Sequence, residues 1–362
     1  MGFPQLKSKT SMAMKRILFI HNNQYGSLTD SLKWCEQLHD RYKITYICFD
    51  DGKERINTPG VHVIYVPRIG NKKMRGVLLL LFSAIYATFF PGFIFVIYFE
   101  KFELLRKLIP FRKLHLDIRT LCVSDDNSVR ERVDGEIIHA AKIFNSVSAI
   151  SSGVIKKMNL NKKVFLLPLG ADQISSTAKD FLAIRLLYVG TLQNRRIMDT
   201  INGVELFIKK YPNTTLTYDI VGSDPSGVEL QKIKDYVASI HLGKYIKIHG
   251  LVPHNHLQPF FDECNIGVSY VPITDYYQYQ PPTKTYEYAF SGLATIATST
   301  ISNEEIINQE NGILIKDTPQ DFCNGIEKIM KMKFDSDTIR ETVKEYSWTN
   351  IVDKYLIPII EH

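Results

Sequence analysis

The chain has 362 residues, carries 44 Lys and Arg against 38 Asp and Glu for a net charge of +6, and is 45% apolar. That length predicts two domains of ordinary size, with apolar material for two cores. So weak a basic balance, with no aromatic–basic RNA motif, leaves nucleic acid aside as a partner. Cys35, Cys48, Cys122, Cys264 and Cys323 are scattered without a C-x-x-C spacing, which reads as reduced core thiols of a cytoplasmic protein. The first thirteen residues, MGFPQLKSKTSMA, are polar and irregular. They do not read as a signal peptide, and are expected to be a leader or an expression remnant with Met14 as the natural start.

Residues 16–21 (RILFIH) predict a strand, 22–27 a polar turn containing Gly26, and 28–38 a helix, the opening of a Rossmann-like unit. The turn is not G-x-G-x-x-G, which disfavours a dinucleotide dehydrogenase. Gly26 either lets backbone approach a substrate or simply makes a tight turn. Strands follow at 44–49 and 61–66, a helix at 74–89, a strand at 93–98, a helix at 102–108, a strand at 114–118 and a helix at 129–140. Strands at 143–147 and 164–167, with a short helix between them, complete a parallel sheet covered by helices on both faces. The uncharged run 77–99 has the length to span a bilayer, but Pro91-Gly92 divides it into a buried helix and a buried parallel strand. On the strand LHLDI, His115 and Asp117, followed by Arg119, share one face. That is either a site at the carboxyl end of a strand or a structural Asp117–Arg119 pair.

Residues 168–180, PLGADQISSTAKD, read as a linker. A second unit starts at Arg185: a strand ending at Gly190, a helix at 198–210, a strand at 216–221 closed by Gly222, and a helix at 227–240. A strand at 246–248 precedes Gly250, then come a helix at 257–263 and strands at 266–271 and 312–315, with a last helix at 349–360. YVGTLQNRR, from Tyr188 to Arg196, puts two arginines after a glycine turn. They either clamp a pyrophosphate bidentately or belong to a solvated loop.

From Tyr277 the chain reads YQYQPPTKTYEYAFSGLATIAT. Pro281-Pro282 cannot lie inside a helix. Thr283 is expected to cap one, Lys284 and Glu287 to share its face, Gly292 to end it in the left-handed region, and 293–297 to form a buried strand. A lysine at a helix start is an anion site, because open N–H groups and the helix dipole point the same way. Glu287, one turn on, can accept hydrogen bonds from two neighbouring hydroxyls; phosphate plus vicinal diol is a nucleotide. The plainer alternative is a solvated Lys/Glu pair. No D-x-D ends a strand, Asp125-Asp126 being adjacent, so side chains rather than a metal are expected to neutralise a diphosphate. His254 and His256 lack a third ligand nearby.

The run P-x-K-x-x-E-x-x-x-x-G followed by an apolar strand resembles the donor-nucleotide motif of the GT-B glycosyltransferases, family 4 in particular. The likeness runs from about Met14 to the C-terminus and is motif-specific in the second half. A second glutamate is usual eight positions before Glu287; Tyr279 stands there, as in a subset that keeps only the later one. Pro168, Gly170 and Asp172 match a P-x-G-x-D before the interdomain hinge. The resemblance implies an α/β protein of two Rossmann-like domains facing each other across a cleft. Residues 14–175 would bind the acceptor, with a helix at 347–362 crossing back onto them, and 176–346 would bind the donor. It implies a retaining glycosyltransferase of the hexosyl type. The sugar would pass from a nucleoside-diphosphate sugar to a saccharide or polyprenyl-diphosphate-linked acceptor, in surface polysaccharide or glycan synthesis, with no cofactor. Lys284 and Arg196, with Arg195 as its rival, would stabilise the leaving phosphate, and Glu287 would hold the ribose. The turns at Gly190, Gly222 and Gly250-Leu251 would face the nucleotide, and Asp117 or His115 would orient sugar or acceptor. Two rivals stand beside this reading: an epimerase or hydrolase on the same fold, and a binding protein without turnover, suggested by Tyr279. Arg68, Lys72, Lys73, Arg75, Arg106, Lys107, Arg112 and Lys113 gather around apolar residues of the first domain. They suit an anionic lipid or lipid diphosphate, at the inner face of a membrane, or else are ordinary surface.

Overall fold

The computed structural model describes residues 14–362, so the expectation for residues 1–13 lies outside the described residues. These residues form two compact units, one reaching Ile118 and including Glu136–Val147, the other made of Arg119–Gly135 and Ser148–His362. Along the first stretch come β1 (Arg16–Ile20), α1 (Thr29–Leu38), β2 (Lys43–Asp50), β3 (Val61–Pro67), α2 (Lys72–Phe89), β4 (Phe93–Ile97), α3 (Glu103–Leu108) and β5 (His115–Ile118). They are followed by α4 (Asn127–Ile143), β6 (Ser146–Ala149), α5 (Ser152–Met158) and β7 (Phe165–Leu166). The strands form a sheet of order β3-β2-β1-β4-β5-β6-β7, with β1 parallel to both β2 and β4. In β1 everything after Arg16 is buried, as a central parallel strand covered on both faces requires. Its Phe19 ring meets Phe95 at 5.2 Å and Trp34 at 6.4 Å, which ties α1 and β4 to one aromatic core.

The uncharged run becomes α2 and β4, separated at Pro91-Gly92 as expected. Among the described residues no helix is long and apolar enough to cross a membrane. The expectation of a buried helix needs correction. α2 buries only Leu79, Ser83, Ala84 and Ala87, while Val77, Leu81, Ile85 and Phe89 stand in solvent. The sheet covers one face of the helix, and an apolar count alone does not reveal that the other is exposed among the described residues.

The second unit holds β8 (Ile184–Val189), α6 (Ile197–Lys210), β9 (Leu216–Val221), α7 (Val228–Ser239), β10 (Ile246–Gly250), α8 (Gln258–Glu263), β11 (Ile266–Ser269), α9 (Thr283–Phe290), β12 (Ala294–Thr298), α10 (Ile301–Glu304) and β13 (Gly312–Ile315). The chain ends with α11 (Pro319–Ile329), α12 (Ser336–Glu341), α13 (Trp348–Ile351) and α14 (Ile357–Glu361). The sheet order is β10-β9-β8-β11-β12-β13, with every pair parallel. α11 buries Phe322, Cys323, Ile326 and Ile329, one helical stripe, and packs on α6. The single last helix expected at 349–360 is broken by a π-turn at Val352–Leu356. Pro358 follows it and has no N–H to give to the preceding turn, so the ladder cannot run through unchanged.

Candidate active site

After β8 the second sheet grows outward through β9 and β10; the chain then returns and lays β11 on the other side of β8. Loops leaving the carboxyl ends of such neighbours diverge and leave a crevice. A cavity of about 370 Å³ opens there, lined by Tyr188 to Thr191 from the end of β8, by Val271 after β11, and by Pro281 to Lys284 and Glu287 from the start of α9. Arg195, Tyr277, Gln280 and Val123 complete the wall.

The entry to α9 differs from expectation in one respect. Pro282, in extended conformation, is the capping residue, and no side chain caps the helix. The ring of Pro282 holds the chain extended up to the helix, so Thr283 is already the first helical residue and its hydroxyl is past the capping position. The first amides of α9 are thus left without a side-chain acceptor where the helix meets the cavity. The other end is as expected. Gly292 has φ +74°; its N–H donates to the Ala289 carbonyl and that of Leu293 to the Tyr288 carbonyl, both at 3.0 Å, a Schellman closure.

Lys284 projects from this helix start with Nζ 3.8 Å from the centre of the Tyr188 ring. Among the described residues it makes no ion pair. Burial first, and the charge of Arg195 second, hold its pKa well below the ordinary lysine range. Arg195 stacks its guanidinium 4.5 Å from the Tyr277 ring and donates a hydrogen bond to that residue's hydroxyl. Two cations, neither of them in an ion pair among the described residues, share one small cavity, with Glu287 also in its wall. Such an arrangement is costly until an anion enters it.

Of the two candidate arginines, Arg195 lines the cavity and Arg196 does not. Asn194 and Arg196 both take left-handed backbone, with φ of 56° and 53°, a conformation costing about 1–2 kcal/mol for a residue with a side chain. The double turn aims Arg195 inward. Arg196 is turned onto Asp199 at 2.8 Å and Asp317 at 2.9 Å, and its charge is spent there.

Glu287 reaches the cavity one helical turn beyond Lys284. One of its carboxylate oxygens lies 3.3 Å from His254 Nε2, and its side chain is only 12% exposed. Gly190 belongs to the wall; Gly222 and Gly250 form the turns beside it, the Gly222 N–H donating to the Gly250 carbonyl at 2.7 Å. A Cβ on Gly222 would fall 1.8 Å from the Gly190 carbonyl oxygen, so no other residue fits between these turns. Leu251 is exposed and outside the wall. Tyr279 also stays out of it. Its ring packs on Gly153, where a Cβ would meet Cδ1 at 2.4 Å, and its carbonyl accepts from the Ser151 hydroxyl at 2.8 Å.

The first-unit candidates are placed otherwise. His115 and Asp117 are buried, at 1% and 0% exposure; His115 bonds the Ser146 hydroxyl at 2.9 Å and packs 4.8 Å from the Phe95 ring. The shared face of the strand is a covered face of the sheet, so neither side chain is open to a ligand. Arg119 donates to the Leu167 carbonyl at 2.7 Å. Gly26 takes φ +90° in the turn after β1, where β1 and β4 are the diverging neighbours of the first sheet.

Tyr188 and Tyr277 are the residues that sequence reasoning missed. The spacing offered a signal, since each lies beside a singled-out arginine or proline run. Nothing local showed that their rings would hold the two cations.

An α/β fold of two parallel sheets, with an anion-ready crevice at the switch point of the second, defines a GT-B protein, and the chain is similar to the GT-B glycosyltransferases. Residues 183–332 match the family described as Glycosyl transferases group 1. The structure of sucrose-phosphate synthase from Thermosynechococcus elongatus superposes with a TM-score of 0.70, at 16% identity over 94% of this chain and 97% of that one. The apo lipopolysaccharide outer core galactosyltransferase WaaB gives 0.71, at 13% identity over 95% and 99%. HepE of Anabaena in complex with UDP gives 0.70, at 12% identity over 96% and 100%. A comparison with curated protein sequences finds no match.

Proposed function

We propose that this protein is a retaining glycosyltransferase that moves a hexose from a nucleoside-diphosphate sugar to a saccharide or polyprenyl-diphosphate-linked acceptor, in the making of a surface polysaccharide or glycan. The observation that carries this is the pair Lys284, at the uncapped start of α9, and Arg195, two cations in one cavity without an ion pair among the described residues, with Glu287 one turn from Lys284. The diphosphate sits against the cations and the first amides of α9. As the glycosidic bond breaks, negative charge grows on the leaving phosphate, where Lys284 and Arg195 stabilise it in place. Glu287 accepts the ribose hydroxyls. Gly26, in the turn after β1 where β1 and β4 diverge, suits the acceptor. The domains are those of a donor half at 176–346 and an acceptor half at 14–175 with the last helix, 347–362. The protein works in the cytoplasm, at the inner face of a membrane.

The test is a thermal-shift screen of nucleotides and nucleotide sugars, beginning with UDP and UDP-glucose because of the likeness to HepE. A ligand of the native state raises the melting temperature by mass action. The reading fails if no nucleoside diphosphate does so, or if donor is bound yet no acceptor draws sugar from it.

Arg195→Ala is expected to weaken binding of the nucleoside diphosphate by about tenfold, about 1.4 kcal/mol, and Arg196→Ala by less than about threefold. Calorimetric titration of both variants checks this; equal losses would return the role to both arginines. Transfer is also expected to continue in excess EDTA, because the two side chains supply the charge that a divalent ion would bring. Activity lost in EDTA and restored by manganese or magnesium would overturn that.

A further inference from the structure

α2 is apolar on every side yet is covered on one. Its exposed face carries Val77, Leu81, Ile85 and Phe89, each one turn from the last, Ile85 being 66% and Phe89 82% exposed. An 18-residue helix is about 27 Å long, so this is a stripe rather than a scatter of single residues, and stripes of that extent mark interaction surfaces. Leu104, Leu108 and Phe111 of the neighbouring α3 region extend it sideways.

The charges around the stripe choose its partner. α2 contains no Asp or Glu, and Lys72, Lys73 and Arg75 stand in its first turn. At its other end Ile85, Tyr86 and Phe89 form the apolar wall of a cavity of about 770 Å³ whose rim bears Arg16 and Lys43. That cavity lies at the amino ends of β1 and β2, away from their carboxyl ends. Four cations of the basic group are occupied within the fold: Arg68 by Asp51, Arg75 by the Gly70 carbonyl, Arg106 by the Pro110 carbonyl and Arg112 by the Phe90 carbonyl. Lys72 has one exposed acidic neighbour, Glu100 at 3.7 Å. An apolar stripe with cations at both ends and no acid along it matches a layer of acyl chains beneath anionic headgroups, and no helix among the described residues is long and apolar enough to span it.

We infer that the exposed face of α2 lies flat in the interface of an anionic bilayer, with Lys72 and Lys73 at one end and Arg16 and Lys43 at the other on the headgroups. The inference rests on the membrane part of the reading above and names its surface and lipid class; it does not depend on the donor site. Co-flotation of the full chain with vesicles tests it. The protein is expected to float with phosphatidylcholine–phosphatidylglycerol vesicles and not with phosphatidylcholine alone. The partition should fall more than about tenfold in Ile85→Glu/Phe89→Glu and in Lys72→Glu/Lys73→Glu. All four positions are exposed, so circular dichroism and UDP binding should match the wild type, which separates loss of docking from loss of the fold or of the donor site. Wild-type protein that stays down with anionic vesicles, or variants that float equally, would overturn the inference. So would a dimer seen by light scattering that Ile85→Glu breaks, which would make a second copy of the chain the occupant.

Discussion

Replacing Lys284 by alanine is expected to lower kcat/KM by about a hundredfold to a thousandfold while leaving the protein folded. The magnitude is that of removing one preorganised charge from a group that becomes more negative in the transition state, about 2.7–4 kcal/mol in a site shielded from water. Lys284 meets both conditions. It projects from the start of α9 into the cavity, and its Nζ lies 3.8 Å from the centre of the Tyr188 ring, a contact that keeps the cation in place without neutralising it. Steady-state kinetics with donor and acceptor measure the effect. A variant retaining more than about a tenth of wild-type activity, a loss of only ~1.4 kcal/mol, would remove Lys284 from the chemistry.

The same residue makes a second, opposite prediction for stability. Burial and Arg195 lower the pKa of Lys284 in the folded protein. A lysine with a lower pKa folded than unfolded binds fewer protons in the native state. Stability is therefore reduced below the folded pKa and recovers as pH rises toward the unfolded value of about 10.4. Lys284→Met removes this burden. Without ligand it is expected to melt no lower than the wild type at pH 7, with the difference closing as pH rises. A bound diphosphate reverses the sign for the wild type alone, because it favours the charged form. Lower activity with undiminished unliganded stability identifies a residue kept for its ligand. A variant that is both inactive and less stable across this range would show that Lys284 serves the fold.

What was legible in the sequence was chemistry decided within a few residues. Pro281-Pro282 fixed where α9 begins, Gly292 where it ends, and three-residue spacing put Lys284 and Glu287 on one face. The strands at 216–221 and 312–315 were bounded by glycines and lie at those limits. What was not legible depended on partners far along the chain. The choice between Arg195 and Arg196 is made by two left-handed residues and by Asp317, 121 residues on. Asp199, three residues beyond Arg196, was the local hint that its charge is already matched. His115 and Asp117 alternate correctly, but period-two reasoning cannot tell a site from the covered face of a parallel sheet. Tyr188 sits within a strand that reads as core, and its ring is indeed buried. Its role comes from Lys284, which approaches from a helix 96 positions later.

Glu287→Gln is expected to weaken donor binding by about tenfold to a hundredfold, because the shape is kept and the charge lost, at ~1.4 kcal/mol per decade. A carboxylate at this place can accept both hydroxyls of a ribose, each charge-assisted bond contributing ~1.5–3 kcal/mol. One of its oxygens is 3.3 Å from His254 Nε2, a contact on the exposed side that leaves the second oxygen for a ribose hydroxyl. His254→Ala therefore serves as the control, since a loss passing only through that contact would appear there in full. A donor lacking the 2′-hydroxyl should bind the wild type poorly, and Glu287→Gln should add little to that loss. Groups that touch are not additive, whereas damage spread through the fold is. Calorimetric titration of wild type and Glu287→Gln with the ribose and deoxyribose nucleotides supplies the four affinities. Strictly additive losses would mean that Glu287 does not touch the ribose, and α9 would then be left as an anion site with no claim on the rest of the nucleotide.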